Sequence, residues 1–477
     1  MTSAKPANLF TRLLLICVAC FWTLASRASS APPVEFTLPN GLRLLVRERH
    51  TSPLVALELW VRAGAREESQ DQIGAAHFLE HTLFKGTRTR GVGGVDLAIE
   101  SLGATLNAAT APDYARYYTT VGSDSTAAAL QILADVVRNA TLPNPEVERE
   151  RQVMRDELAL RDSDAGSLLV DKLYAAAFPA HPYGRPPGGT IPEIRARTRD
   201  SLAEFYRRTY TPKRCTLVFV GDVKPEQARE MAEQAFGDWT AADGAKVPLP
   251  TGPELESSGR SSNDGGDGPP PAPASVRHIR QPADVARPLI GIACRAPAAS
   301  DGRMVCAAQI VAAMLGQSDI GGRLAAPGLA GTETHVSYAP RRDDSLFIIS
   351  STLPLPELAR IHDPAKLAAA ASVEEQVVTA VLDSFRTIPP TAAELQAAKR
   401  ALLGRLVFEH ETAAGLAAAL GAAAVTGGDT PDAWRDRIDR TTLTDVRDFV
   451  SHWLDSEHRM VLVLLPRDAG GLPETRQ

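Results

Sequence analysis

The spacing of apolar positions changes period repeatedly along the chain, and each change predicts an element. VEFTL and LRLLV flank Asn40-Gly41, and this dipeptide between two strand-like runs predicts a hairpin. LVALELWV then alternates and extends the sheet. GAAHFLEH, starting at Gly74, fits a helix that ends before Gly86. Residues 93–103, TAAALQILADVVRNA, VERERQVMRDELALRDS and Ser201 to Tyr210 have helical spacing, the third with a narrower stripe. PEQAREMAEQAFGDW closes the first half as a helix, with Pro225 near its start, where a missing amide costs nothing. Between these, ATLNAATAPDYARYYTTV predicts a strand pair and RCTLVFVGDV a strand.

From about Pro248 to Pro273 the sequence turns to PLPTGPELESSGRSSNDGGDGPPPAP. Such a segment buries too little apolar surface to offset its ordering entropy, which predicts a linker over 248–274. Beyond it the order repeats. PLIGIACRA and DDSLFIISSTL read as strands, MVCAAQIVAAML as a helix. Further helical runs are VEEQVVTAVLDSF, AAELQAAKRALLGRLVFEHETAAGLAAAL and LTDVRDFVSHWL, before a last strand, RMVLVLLP. We expect an α+β fold of two related domains, 32–247 and 275–477, each a mostly antiparallel sheet packed with helices.

A chain of 477 residues exceeds one ordinary core, which agrees with two domains. The net charge of −6 and the lack of a long basic block exclude a phosphate-binding stripe, so no nucleic-acid partner is expected. At the N-terminus, Lys5 and Arg12 precede the apolar run LLLICVACFWTLAS, and Ala28, Ser29, Ser30 and Ala31 follow it. That order predicts a cleaved secretory leader over 1–31, hence a periplasmic or secreted protein, with a retained membrane anchor as the alternative. Of the five cysteines, Cys17 and Cys20 lie in that leader. Cys215, Cys294 and Cys306 make neither a disulfide framework nor a thiolate metal site.

Candidate chemistry concentrates in two helices. His77 and His81 are four apart, so they sit one turn above each other and can converge on an ion, with Glu80 beside the same face. Imidazoles suit zinc, and a carboxylate can take a proton from water. Alone, the pattern also fits a salt-bridged surface motif. Glu150, Val153, Met154 and Glu157 form one stripe of the later helix, and two acids in such a stripe suggest a partner or a metal.

AHFLEH is the inverted zincin signature, His-x-x-Glu-His, and its setting resembles metallopeptidase family M16, that of pitrilysin and the mitochondrial processing peptidase. Glu157 follows His81 by 76 positions and Glu150 precedes Glu157 by seven, both at the family's spacing. TLPNGLRLLV, FLEHTLFKGT, LNAATAPDYARYY, HPYGRP and FYRRTYTPKRCTLVFVGDV continue the likeness in the family's order. The resemblance implies a zinc endopeptidase with one Zn2+ per chain held by His77, His81 and Glu157. It makes Glu80 the general base and gives Glu150 a supporting acidic role in catalysis. It also places Asn107, Ala108, Thr110 and Asp113 along a strand that pairs with an extended peptide. His181 is expected at the cleft rim, Tyr117 and Tyr118 in sheet packing, and His410 on a surface helix.

The second half departs from the family. Where active members carry an arginine and soon afterwards a tyrosine, this chain has GQSDIGGRLAAPGLAGTETHVSYAP. Arg323 is recognisable as a substrate-binding candidate, but Gly331 stands where the tyrosine belongs, and Tyr338 matches a later strand tyrosine. The departure implies a partner: a second M16-like subunit supplying the arginine and tyrosine, with a homodimer as the alternative. The substrates implied are oligopeptides or extended, unfolded segments. The rival readings are a non-catalytic assembly or binding subunit and a hydrolase of non-peptide bonds.

Overall fold

A computed structural model describes residues 32–240, 277–316, 333–352, 364–455 and 459–467. The leader and the linker expected from the sequence lie outside the described residues. So do Arg323 and Gly331.

The first half builds a six-stranded sheet from β1 (Val34–Thr37), β2 (Arg43–Glu48), β3 (Leu54–Val61), β4 (Asn107–Thr110), β5 (Ala115–Gly122) and β6 (Cys215–Gly221). Their order is β1-β2-β6-β3-β5-β4, antiparallel except for β2 beside β6. The Asn40-Gly41 hairpin forms as expected, with Thr37 opposite Arg43. Its helices are α1 (Ala75–Thr82), α2 (Gly94–Glu100), α3 (Thr126–Asn139), α4 (Asn144–Ser163), α5 (Ala165–Ala177), α6 (Ile191–Ala196), α7 (Arg199–Thr209) and α8 (Pro225–Phe236).

The second half repeats the scheme without the first strand. Strands β7 (Arg277–Ala283), β8 (Leu289–Ala296), β9 (Glu333–Tyr338), β10 (Ser345–Thr352) and β11 (Met460–Pro466) take the order β7-β11-β8-β10-β9. β7 and β11 are parallel, as β2 and β6 are. The matching strand orders give the two related α+β domains that the sequence only suggests. The helices are α9 (Gly302–Gly316), α10 (Pro364–Thr387), α11 (Ala392–Glu409), α12 (Ala413–Thr426), α13 (Pro431–Arg440) and α14 (Leu443–Trp453).

Each half lends one helix to the other's sheet. On β2, β3 and β6, one set of alternating residues (Leu44, Val46, Leu57, Leu59, Leu217, Phe219) packs on the first half's own helices. The other set (Leu45, Ala56, Trp60, Val218, Val220) is covered by Leu416, Ala417, Leu420 and Val425 of α12, from the second half. Reciprocally, Leu169, Leu173, Tyr174 and Ala177 of α5 cover Leu289, Ala293, Leu346, Ile348 and Leu462 of the second sheet. Each large apolar side chain buried this way contributes about 1.5–3 kcal/mol, so the exchange binds the halves firmly.

Several expectations need correction. β3 is buried on both faces from Val55 to Val61, and its polar position Glu58 is buried too, held by Trp60 and Arg116 at 2.8 Å each. The long run from Ala392 is two helices broken at 410–412, where the Thr412 hydroxyl accepts from the Gly415 amide and starts α12. His410 is therefore the half-buried residue that ends α11, not a helix-surface residue. On α4, Val153 is exposed along with Glu157, and the buried line is Val147, Glu150, Met154 and Leu158. The stripe read from the sequence is thus split between a buried side and an open one.

Candidate active site

α1 presents its histidines because its other face is committed elsewhere. Ala75, Phe78, Leu79 and Thr82 are fully buried, and the helix packs on α4 and α7. That face is turned into the core, and His77 and His81 on the other side face Glu157 on α4. The two Nε2 atoms are 3.3 Å apart. Glu157 Oε1 lies 3.5 Å from His77 Nε2, and its Oε2 lies 3.3 Å from His81 Nε2. Among the described residues, this is the one group of three or more His, Cys, Asp or Glu side chains close enough to hold a metal ion.

The triangle can be tested against an ion's demands. Ligand distances of 2.0–2.2 Å in a tetrahedron space the donors about 3.3–3.6 Å apart, so the three atoms match one tetrahedral face and leave the fourth corner open. Burial, together with neighbouring His81, holds His77 below its ordinary value, which favours the neutral imidazole that a ligand must be. The donor set fits a zinc-like ion.

The far sides of the rings are also arranged. His81 Nδ1 donates to Glu150 Oε2 at 3.2 Å, and Lys85 Nζ donates to Glu150 Oε1 at 2.9 Å. A carboxylate in that place fixes the tautomer and leaves the Nε2 lone pair for the ion. Glu150 therefore meets His81 on the ring nitrogen that does not face Glu157. His77 Nδ1 is buried without a hydrogen-bond partner among the described residues and abuts Gly188. Gly188 has φ +86°, and a Cβ there would stand 2.6 Å from Nδ1. Arg161, one turn beyond Glu157, holds that loop by donating to Pro187 O at 2.7 Å while pairing with Asp171.

Glu80 is half-buried and has no hydrogen bond or ion pair among the described residues. It acts electrostatically on His77. A carboxylate costs free energy to bury unless it is hydrogen-bonded or paired, so a half-buried one without a protein partner keeps its oxygens toward water.

Among the described residues β4 is the sheet's edge strand, bonded only to β5, and α1 packs against it. Asn107 is exposed there, and Ala108 leans on the core. Asp113, expected beside them, is instead buried, accepting from Tyr183 Oη at 2.5 Å and from Arg342 N at 3.0 Å. His181 is likewise not a rim residue: it is buried, 3.2 Å from Asp343 of the second half. Tyr117 packs in the sheet, its hydroxyl 2.6 Å from that of Tyr210, and Tyr118 lies under Arg116. Tyr338 ends β9, buried, and donates to Pro297 O at 2.6 Å.

Sequence reasoning missed Lys85, Arg161, Gly188 and Glu68. The Gly188-Gly189 pair was a visible signal of close backbone approach. Lys85 and Arg161 give no local sign, since their partners Glu150 and Pro187 are remote in sequence. Glu68 lies only six and eight residues before the amides of Gly74 and Ala76 that it accepts from, at a spacing that matches no capping pattern. Among the described residues no helix is long and apolar enough to cross a membrane.

Residues 43–190 match the family model described as Insulinase (Peptidase family M16), and residues 197–402 match Peptidase M16 inactive domain. The chain is 39% identical over 210 residues to an uncharacterized zinc protease of Mycobacterium leprae, covering 44% of this chain and 47% of that protein. It is 35% identical over 220 residues to the mitochondrial-processing peptidase subunit beta of Rattus norvegicus, covering 46% and 45%. The chain thus spans about half the length of the curated relatives it matches. In fold it resembles the crystal structure of a protease from Helicobacter pylori, with a TM-score of 0.77 at 20% identity over 91% of this chain and 100% of that one.

Proposed function

The chain belongs to the M16 family of metallopeptidases, and from that premise we propose that it is a zinc-dependent endopeptidase acting on oligopeptides or extended, unfolded segments. The observation that carries this reading is the donor triangle of His77, His81 and Glu157, with edges of 3.3–3.5 Å and the unpartnered Glu80 beside it.

His77, His81 and Glu157 would hold one zinc per chain, leaving a fourth position open. When bound, zinc supplies Lewis-acid polarisation of the scissile carbonyl and makes water acidic enough to deprotonate near neutral pH. Glu80 takes the proton from the attacking water and later delivers it to the leaving amine. Glu150 keeps His81 in the tautomer that binds metal. The open edge of β4, at Asn107 and Ala108, holds the substrate main chain, which suits extended peptides and leaves compact proteins unbound. Arg323 would come to the same substrate from the second half.

The glycine at 331, where the resembled family carries a tyrosine, favours a divided enzyme. We place the working site between this chain and a second M16-like subunit that supplies the arginine and tyrosine pair of which this chain carries only Arg323. In this reading residues 1–31 are a leader, 32–247 the metal-bearing domain and 275–477 the second domain, joined by 248–274, and the protein works in the periplasm or outside the cell. A purely scaffolding subunit would have no use for the complete triangle or for an unpaired Glu80.

The test is zinc content together with cleavage of a quenched peptide library, for the mature chain alone and mixed with its candidate partner. One zinc per chain with cleavage in the mixture alone supports the divided enzyme. Zinc and full activity in the lone chain would remove the partner, and a chain without zinc would remove the peptidase reading.

A further inference from the structure

α1 starts without a cap of its own. Its first flanking residue, Gly74, has φ +85° and no side chain to receive the free amides of the first turn. Ser, Thr, Asp or Asn normally does this work at that position. Here the acceptor comes from outside the helix. Glu68 is buried, its Oε2 accepts the Gly74 amide at 3.0 Å, and its Oε1 accepts the Ala76 amide at 2.8 Å.

Two bonds to amides two residues apart restrain the first turn in both height and rotation, and His77 is the next residue. A rotation of about 10° moves a side-chain tip about 5–6 Å from the axis by about 1 Å. Metal sites tolerate only about 0.2 Å. Small errors at the helix start therefore reach the donor triangle.

The segment that carries Glu68 is itself braced. Glu67 pairs with Arg214 at 2.8 Å and with Arg342 of the second half at 3.1 Å. Arg66 pairs with Asp343 at 2.6 Å, and its amide donates to Pro112 O, within the β4–β5 turn. The carbonyls of Glu67 and Glu68 accept from Arg208 and Arg185. A movable segment could not set a helix; this one is held from four sides.

We propose that Glu68 is a positioning residue for the metal-binding helix, setting through the Gly74 and Ala76 amides the rotation that brings His77 and His81 onto Glu157. The proposal rests on the metal reading above. Through Glu67 and Arg342, the same segment links the second domain to the geometry of a site to which it gives no described ligand.

The test uses Glu68→Gln, whose amide nitrogen cannot accept one of the two bonds, and Glu68→Asp, which keeps the charge but cannot reach both amides. Both are compared with the wild type in the full mature chain at pH 8. Three readouts are taken: zinc affinity of the apoprotein by chelator competition, hydrogen exchange of amides 76–82, and the melting midpoint. We expect zinc affinity to fall by about 10–100-fold, and exchange over 76–82 to rise at least tenfold relative to α3 and α9. Unchanged zinc affinity and exchange in either folded variant overturn the proposal. Loss of cooperative melting in both overturns it as well, because Glu68 would then serve the fold at large. If the wild type binds no zinc, the metal reading fails by itself, and exchange in the apoprotein still decides the role of Glu68.

Discussion

Gly188→Ala should damage metal binding from behind a ligand. The added Cβ would stand 2.6 Å from His77 Nδ1, about 0.8 Å inside the 3.4 Å at which ordinary contact begins. The loop cannot simply retreat, since Arg161 holds Pro187 O and Gly189 packs on Ile73 and Gly74. The ring must give, by several times the roughly 0.2 Å that a metal site tolerates. Displaced supporting contacts typically cost 10–100-fold in metal affinity, or about 1.4–2.8 kcal/mol. Backbone strain is a separate effect of about 1–2 kcal/mol for a non-glycine residue at positive φ. Gly93→Ala isolates it, because Gly93 has φ +76° and open space around its Cβ position. Both variants should lose thermal stability, and only Gly188→Ala should lose zinc affinity in a chelator competition. Zinc affinity within twofold of wild type in a folded Gly188→Ala protein would refute the reasoning.

Glu80→Gln should keep stoichiometric zinc and lose about 10²–10⁴-fold in kcat, whereas alanine at His77, His81 or Glu157 should lose both; metal analysis beside peptide cleavage separates them, and equal zinc loss in all four contradicts the division of roles. Gly421→Ala should lower the melting midpoint, since its Cβ would overlap Trp60 Nε1 across the seam between α12 and β3. Overpacking of that kind costs about 1–3 kcal/mol, and an unchanged midpoint would mean that the seam yields freely. Asp343 gives the acid limb. Burial raises its pKa, but His181 and Arg66 outweigh that and hold it well below the ordinary 3.8. Its contribution is therefore present above about pH 4 and lost as pH falls further, so the stability gap between wild type and Asp343→Asn should shrink below pH 4. A gap that widened in acid would reverse the sign of the argument.

What the sequence determined by itself is local. Apolar periodicity records which side of a segment is buried, so α1, α3, α8, β6 and β11 were legible from spacing alone. His-x-x-Glu-His needs only the pitch of a helix to bring two imidazoles together, and the distance to Glu157 came from resemblance to a family. Periodicity does not record what lies across the buried side. It therefore missed α5, β7, β9 and α13, and it joined α11 to α12 through His410 because alanine-rich sequence on either side of 410–412 is helical in both cases. Only the tertiary structure decided that α5 and α12 change places between the halves, which also explains why β3 is apolar on both faces. It alone put Asp113 and His181 in the seam between domains, when their neighbours in sequence suggested the cleft. The same holds for the site: two histidines can be read from their spacing and Glu157 from the resemblance, but only the structure shows Glu68 bonded to the start of one helix, Glu150 bonded to one ring and Gly188 against the other. The last two contacts join residues far apart in the chain, and chain-local patterns of polarity carry no trace of which remote partner each one will meet.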